Sequence, residues 1–210
     1  MEITWYGQSC FRLVERAAIA IVTDPYAPRP GGEPLRLKAD LVTVSSDDPA
    51  HNHVAAVSGT QRGDVRVIAS PGEYEIGGVF ITGIAMRPEK RSNLKPCTVF
   101  SFSFDGLNVV HLGSLAFVPA QAQIDALETV DVLLVPIGGE GVLSPAQAAE
   151  VISMIEPGIV VPMDFGTKKD TLSRFLKEMG VASPKMQDML KVSHSQDAED
   201  TQVIVLEAKH

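Results

Sequence analysis

Two cysteines, Cys10 and Cys97, are all that the 210 residues contain, too few for the disulfide framework that stabilises many secreted domains. No run approaches the roughly twenty apolar residues that span a bilayer. The opening Met1-Glu2-Ile3-Thr4-Trp5 also lacks the basic start and apolar stretch of a signal peptide. A cytoplasmic location without a membrane partner is therefore expected. Positive charge is in deficit, with 18 Lys and Arg against 26 Asp and Glu and a formal charge of -8. Binding to a phosphate backbone requires cations that displace counterions, so nucleic acid is not an expected partner. The one basic stretch, 87–95, is interrupted by Glu89 and reads as a solvated loop. Histidine is scarce as well: there are five, and none lies between His53 and His111.

What is present is an ordinary globular composition, 45% apolar and 21% charged, long enough for one large α/β domain over residues 1–210. Short runs rich in Val, Ile and Phe, punctuated by Gly and Pro, predict strands over 3–6, 10–13, 18–22, 41–44, 66–69 and 79–84. Runs 98–104 and 107–112 predict a hairpin on Asp105-Gly106. Ser144-Pro145-Ala146-Gln147 has the form of a capping box with Pro at the first helical position, and it predicts a helix to about 155. Pro157-Gly158 ends that helix before a strand over 159–162. A second helix is predicted over 171–179, stopped by Gly180, with closing strands over 190–192 and 202–206 around a polar turn at 195–200. Loops 29–33 and 90–95 are long enough for mobility, and neither resembles a domain linker.

The most informative segment is Ser45-Ser46-Asp47-Asp48-Pro49-Ala50-His51, a polar loop placed directly after an apolar strand. It resembles the T-H-x-H-x-D-H loop of the metallo-β-lactamase-fold hydrolases. In that match Ser46 and Asp48 take the places of two histidine ligands, Ala50 takes that of the aspartate, and only His51 is retained. Gly7-Gln8-Ser9-Cys10-Phe11 is similar to the G-H-S-C-F opening of the small single-domain branch, with Gln8 for histidine. Thr23-Asp24-Pro25, Lys38-Ala39-Asp40, the run from Pro71 to Gly78 and Thr82-Gly83-Ile84 continue the resemblance in order. His111-Leu112-Gly113-Ser114-Leu115 resembles H-L-G-D-L with Ser114 at the bridging aspartate. Pro162-Met163-Asp164-Phe165 resembles P-M-H-Y with Asp164 at the last histidine.

This resemblance implies an αββα sandwich in which these loops meet at one edge of two sheets. It also implies a remnant pocket of Gln8, Ser46, Asp48, Ala50, His51, His111, Ser114 and Asp164. Turns and apolar positions are kept while metal-ligand types are replaced. The expectation is thus a pseudoenzyme with a degenerate metal site and no cofactor, acting as a binding or assembly module for a small-molecule or protein ligand. Self-assembly into a homo-oligomer is expected only by analogy. The alternative is a metal-dependent hydrolase with a rebuilt carboxylate-rich site, in which Asp48, His51 and Asp164 hold a Mn, Fe or Zn ion and act on a phosphoester or lactone.

His111, beside the family's ligand and not one itself, is expected to be a partly buried, hydrogen-bonded histidine. His53, His194 and His210 are expected at the surface, and Cys10 as a buried small hydrophobe. Ser46 or Ser114 with His51 and Asp48 supplies the residue types of a catalytic triad without a G-x-S-x-G elbow. Ile137-Gly138-Gly139-Glu140-Gly141 lacks the Lys-Ser/Thr of a P-loop and reads as a strand-to-helix turn.

Overall fold

Alternation of apolar and polar residues gives way, midway through the chain, to strands that are apolar on both faces, and that change separates the two sheets of the protein. The computed structural model describes residues 1–16, 18–28, 31–60, 64–104, 106–166, 169–193 and 200–209. Its first half holds β1 (Glu2–Trp5), β2 (Phe11–Val14), β3 (Ile21–Thr23), β4 (Leu37–Ala39), β5 (Leu41–Thr43), β6 (Val57–Gly59), β7 (Arg66–Ile68), β8 (Gly72–Ile76), β9 (Val79–Met86) and β10 (Cys97–Phe104). There follow β11 (Leu107–His111), α1 (Gln121–Asp125), β12 (Val132–Pro136), α2 (Pro145–Ile155) and β13 (Ile159–Met163). The chain closes with α3 (Lys169–Glu178), β14 (Lys185–Gln187), β15 (Leu190–Lys191) and β16 (Gln202–Leu206).

One sheet has six strands in the order β15-β1-β2-β3-β5-β7, and the other has eight in the order β14-β16-β13-β12-β11-β10-β9-β8. In the first, Ile3 lies opposite Leu13, and β3, β5 and β7 run parallel. In the second, β11, β12, β13 and β16 run parallel while β8 to β11 form an antiparallel meander. Ile3, Phe11 and Leu13 face Phe100, Phe102, Leu134 and Val161 across the sandwich, all fully buried. The second face of the eight-stranded sheet, with Val99, Leu133 and Val160, is covered by Val151 and Ile152 of α2 and Phe175 of α3. Burial on both faces is why β12 and β13 read as unbroken apolar runs.

The capping box predicted for α2 is present: the Gln147 amide donates to Ser144 Oγ, and the Ser144 amide donates to Gln147 Oε1 at 3.1 Å. Gly180, at φ 68°, ends the α3 region as predicted. On the outer face of the six-stranded sheet the covering layer among the described residues is β4 paired with β6, with a single 3₁₀ turn at Val54–Ala56. The predicted strand over 18–22 is shorter and later, as Ile21–Thr23. The edge strand β8 had no prediction, because its Glu73 and Glu75 are exposed and give it no apolar face. The hairpin of β10 and β11 forms as predicted; Asp105 of its turn, His194, His210 and most of the turn 195–200 lie outside the described residues.

Candidate functional site

Parallel β3 and β5 in one sheet, and β11, β12 and β13 in the other, end at a common edge, and the strand ends and loops there carry the buried Asp24, Ser45, His51 and His111. Among the described residues, three of the five non-glycine residues with positive φ lie here: Gln8 (47°), Asp24 (39°) and Asp164 (62°). Such left-handed backbone costs of order 1–3 kcal/mol per residue and persists where surrounding contacts impose it. The contacts are visible. Trp5 Nε1 and the Asp164 amide both donate to the Gln8 carbonyl, at 2.8 and 3.3 Å. Two glycines allow the loops to close. A Cβ on Gly113 would lie 2.3 Å from Ser45 Cβ, and one on Gly138 would lie 2.3 Å from the Asp164 carbonyl oxygen.

Asp24 is the hub. Fully buried, its Oδ1 accepts from the Ser45 amide at 2.7 Å, and its Oδ2 accepts from Ser45 Oγ at 2.5 Å and from His51 Nδ1 at 3.0 Å. The bond to Nδ1 places the neutral ring's proton there and leaves Nε2 with the lone pair. Ser45 Oγ also accepts from the Ser114 amide at 3.1 Å, so β5 and β11 are tied across the sandwich. A second chain lies beside the first. Ser9 Oγ donates to Asp164 Oδ2 at 2.6 Å, while the Ser9 carbonyl accepts from His111 Nε2 at 2.9 Å and from Thr23 Oγ1 at 3.0 Å.

Burial alone would lower the pKa of His51. The hydrogen bond to Asp24 and the charges of Asp24, Asp164 and Asp48 together outweigh it, and His51 is raised above its ordinary value. Burial raises Asp164 despite the opposing bond from Ser9 and the nearby His51. His111 is lowered, chiefly by burial. Cys10 is pushed well up by burial and by Asp24, and Cys97 is pushed up to about 12 for the same reasons, so both thiols are inert.

Of the residues predicted for the pocket, the structure gathers His51, Asp164, His111 and Ser114 into these two chains. His111 is fully buried, deeper than expected, with Nδ1 unpartnered among the described residues. Ser46 holds a buried Oγ that likewise has no partner. Gln8 contributes its carbonyl to the network. Ala50 and Asp48 are drawn into a local turn: the exposed Asp48 accepts the Ala50 amide at 2.9 Å through its own carboxylate and reaches His51 only as a charge. His53 is half-buried and makes no ligand-like contact. The sequence reading missed Asp24, Ser9 and Ser45 as site residues. The signal available was the Thr23-Asp24-Pro25 motif, an aspartate at the end of an otherwise apolar strand.

Two packed sheets with helices on an outer face, and a polar site on the loops at one edge, define a protein of the metallo-β-lactamase fold. The beta-lactamase superfamily domain model matches residues 2–164, and the chain belongs to that family. A UPF0173 protein of Pyrococcus furiosus is 31% identical over 203 residues, covering 85% of this chain and 90% of its own. A UPF0173 metal-dependent hydrolase of Thermoplasma acidophilum is 26% identical over 191 residues, with coverages of 80% and 84%. A crystal structure from Thermotoga maritima, of a candidate Zn-dependent hydrolase of the metallo-β-lactamase superfamily, superposes with a TM-score of 0.77 at 32% identity over 99% of both chains.

These relatives correct the expectation of a catalytically silent binding or assembly module: the names they carry point to metal-dependent hydrolysis and not to a pseudoenzyme. Physically, the loss of ligand types from the loops left a buried Asp24–His51 pair in place, and that pair still has chemistry to offer. The metal itself is a separate question, decided by the donors. Among the described residues no three His, Cys, Asp or Glu side chains are grouped to hold a metal ion, whereas catalytic zinc takes about three protein ligands. Gln8, Ser46, Ala50 and Ser114 replace donors with weaker groups or none, and Asp48 is engaged by its own loop. The residues in this arrangement do not fit the family's metal group.

Proposed function

We propose that this chain is a hydrolase, acting on a phosphoester or lactone at the rebuilt site of His51, Asp24 and Asp164. The observation that carries the reading is the buried Asp24–His51 pair at the edge where the family's loops converge, and the names of the relatives support the reaction class. With Nδ1 held by Asp24, His51 Nε2 makes no hydrogen bond among the described residues and is the atom that takes a proton from attacking water. Asp24 orients the ring and stabilises the imidazolium that results. Asp164, held by Ser9 Oγ in the neighbouring hydrogen-bond chain, is the second carboxyl group assigned to proton exchange with the leaving oxygen.

The test is hydrolysis of bis-p-nitrophenyl phosphate and of a γ-lactone by protein purified in chelator. Turnover of at least one, reduced about 100-fold or more in His51→Ala, is expected from the typical contribution of a general base. No turnover of either substrate, with or without added Mn²⁺, would overturn the reading.

A cation-assisted form of the same hydrolysis is the second reading, favoured by one observation: the charges of both Asp48 and Asp164 act on His51. Asp48, His51 and Asp164 are the donor types that a hard divalent ion takes, but in this arrangement they are not drawn together to hold one. If Mn²⁺ gathers them, it should raise the melting temperature of the parent and leave Asp48→Ala and Asp164→Ala unmoved. An equal response in all three proteins would exclude these ligands.

A further inference from the structure

A cavity of about 680 Å³ opens beside the hydrolytic site and contains none of its side chains. Its walls are the rings of Tyr6 and Tyr26 with Leu35 and Leu37, and Arg36 and Lys209 add two cations. The frame is fixed from several sides. Tyr26 Oη donates to the Tyr6 carbonyl at 2.7 Å, and a Cβ on Gly7 would lie 3.1 Å from that same hydroxyl. The Lys209 amide donates to the Trp5 carbonyl at 2.9 Å.

Two of the cavity's walls continue along the chain into the site. Tyr6 leads through Gly7-Gln8 into Ser9, which holds Asp164, and Tyr26 is two residues beyond Asp24. Because β16 runs parallel to β13, the segment leaving β16 carries Lys209 to the edge at which β13 delivers Asp164. Neither Arg36 nor Lys209 makes an ion pair among the described residues. In a chain of formal charge -8, two uncompensated cations over an aromatic and aliphatic wall favour an anion with an apolar body. Glu33, also at the cavity, offsets part of that positive charge. The volume lies within the roughly 300–1,000 Å³ of small-molecule sites.

We infer that this cavity binds a small monoanionic or phosphate-bearing ligand with an aromatic or branched apolar body, and that it is the substrate subsite of the neighbouring centre. That the ligand is substrate rests on the hydrolase reading, whereas its binding does not.

The test uses the whole chain, ¹⁵N-labelled and titrated separately with phenyl phosphate, benzoate, phenol and inorganic phosphate. Saturable amide shifts at Tyr6, Tyr26, Arg36 and Lys209 are expected with phenyl phosphate or benzoate, with Kd about 1 mM or below, and weaker binding with phenol and inorganic phosphate. The tighter of the two anions identifies the head group. In the Arg36→Gln/Lys209→Gln variant, whose changes are at exposed side chains, affinity should fall about tenfold. In His51→Ala it should stay within about twofold of the parent, since that side chain does not line the cavity. No saturation by either aromatic anion, equal affinity in the double variant, or shifts centred on His51 would each overturn the inference. Binding that persists without any ester or lactone turnover would support the ligand site and refute the hydrolase reading alone.

Discussion

His51 is held between opposing effects of comparable weight, and the balance is measurable at the level of one ring. Burial is the largest single effect and lowers its pKa, while Asp24 provides the largest contributions in the other direction. In an NMR titration the parent should therefore show a His51 midpoint raised above its ordinary value, and Asp24→Asn should lower it. An unchanged midpoint would show that Asp24 does not govern the ring. The raised pKa is linked to stability: folding gains from His51 in full below pH 6.5, and that gain is lost as pH rises through the folded value. His111 acts in the other direction. Its lowered pKa makes stability rise with pH through the window just below 6.5. The sequence made His51 and Asp164 visible because they sit at metal-ligand positions of the motifs, whereas Asp24 and Ser9, in motifs too, were not marked as site residues. Their importance comes from partners 27 and 155 residues away, and no local pattern encodes such pairings.

Elements differ in how much of their stability is local. The α2 start depends on the four-residue segment from Ser144 to Gln147, so Ser144→Ala should cost about 1 kcal/mol in chemical denaturation, and no loss at all would show that the cap is idle. By contrast, the approach of β13 to the turn after β12 depends on Gly138, where a Cβ would meet the Asp164 carbonyl at 2.3 Å. Gly138→Ala should destabilise by about 1–3 kcal/mol, and it should also reduce turnover, because the shifted backbone carries Asp164. Unaltered stability would contradict the close packing of these loops. The same contrast explains what the sequence revealed of the elements. The capped helix α2 and the strands β9, β10, β11 and β13 announced themselves through caps, turns and apolar runs. The three-residue strands β4 and β6 and the five-residue α1 are too short for a period to be read, and β8 shows no apolar face.

At the scale of the whole molecule, the two sheets bring residues from both halves of the chain to one edge, and the proposed chemistry requires both. Asp24 and His51 come from the six-stranded sheet, and Asp164 comes from the eight-stranded one. The layered fold was legible through motif order, since turns and apolar positions match along most of the chain. The hydrolase names of the relatives overturn the expectation of a silent module, which took missing metal ligands as missing chemistry although a carboxylate–imidazole pair needs only two residues.

The most direct measurement is a double-mutant cycle in kcat/KM for ester or lactone hydrolysis, using the parent, Asp24→Asn, His51→Ala and the double variant, all in chelator. If Asp24 acts through His51, the single changes each lower the rate and the double variant falls no further than His51→Ala. Losses that add in the double variant, or rates that survive the removal of His51, would contradict a hydrolytic centre built on this pair.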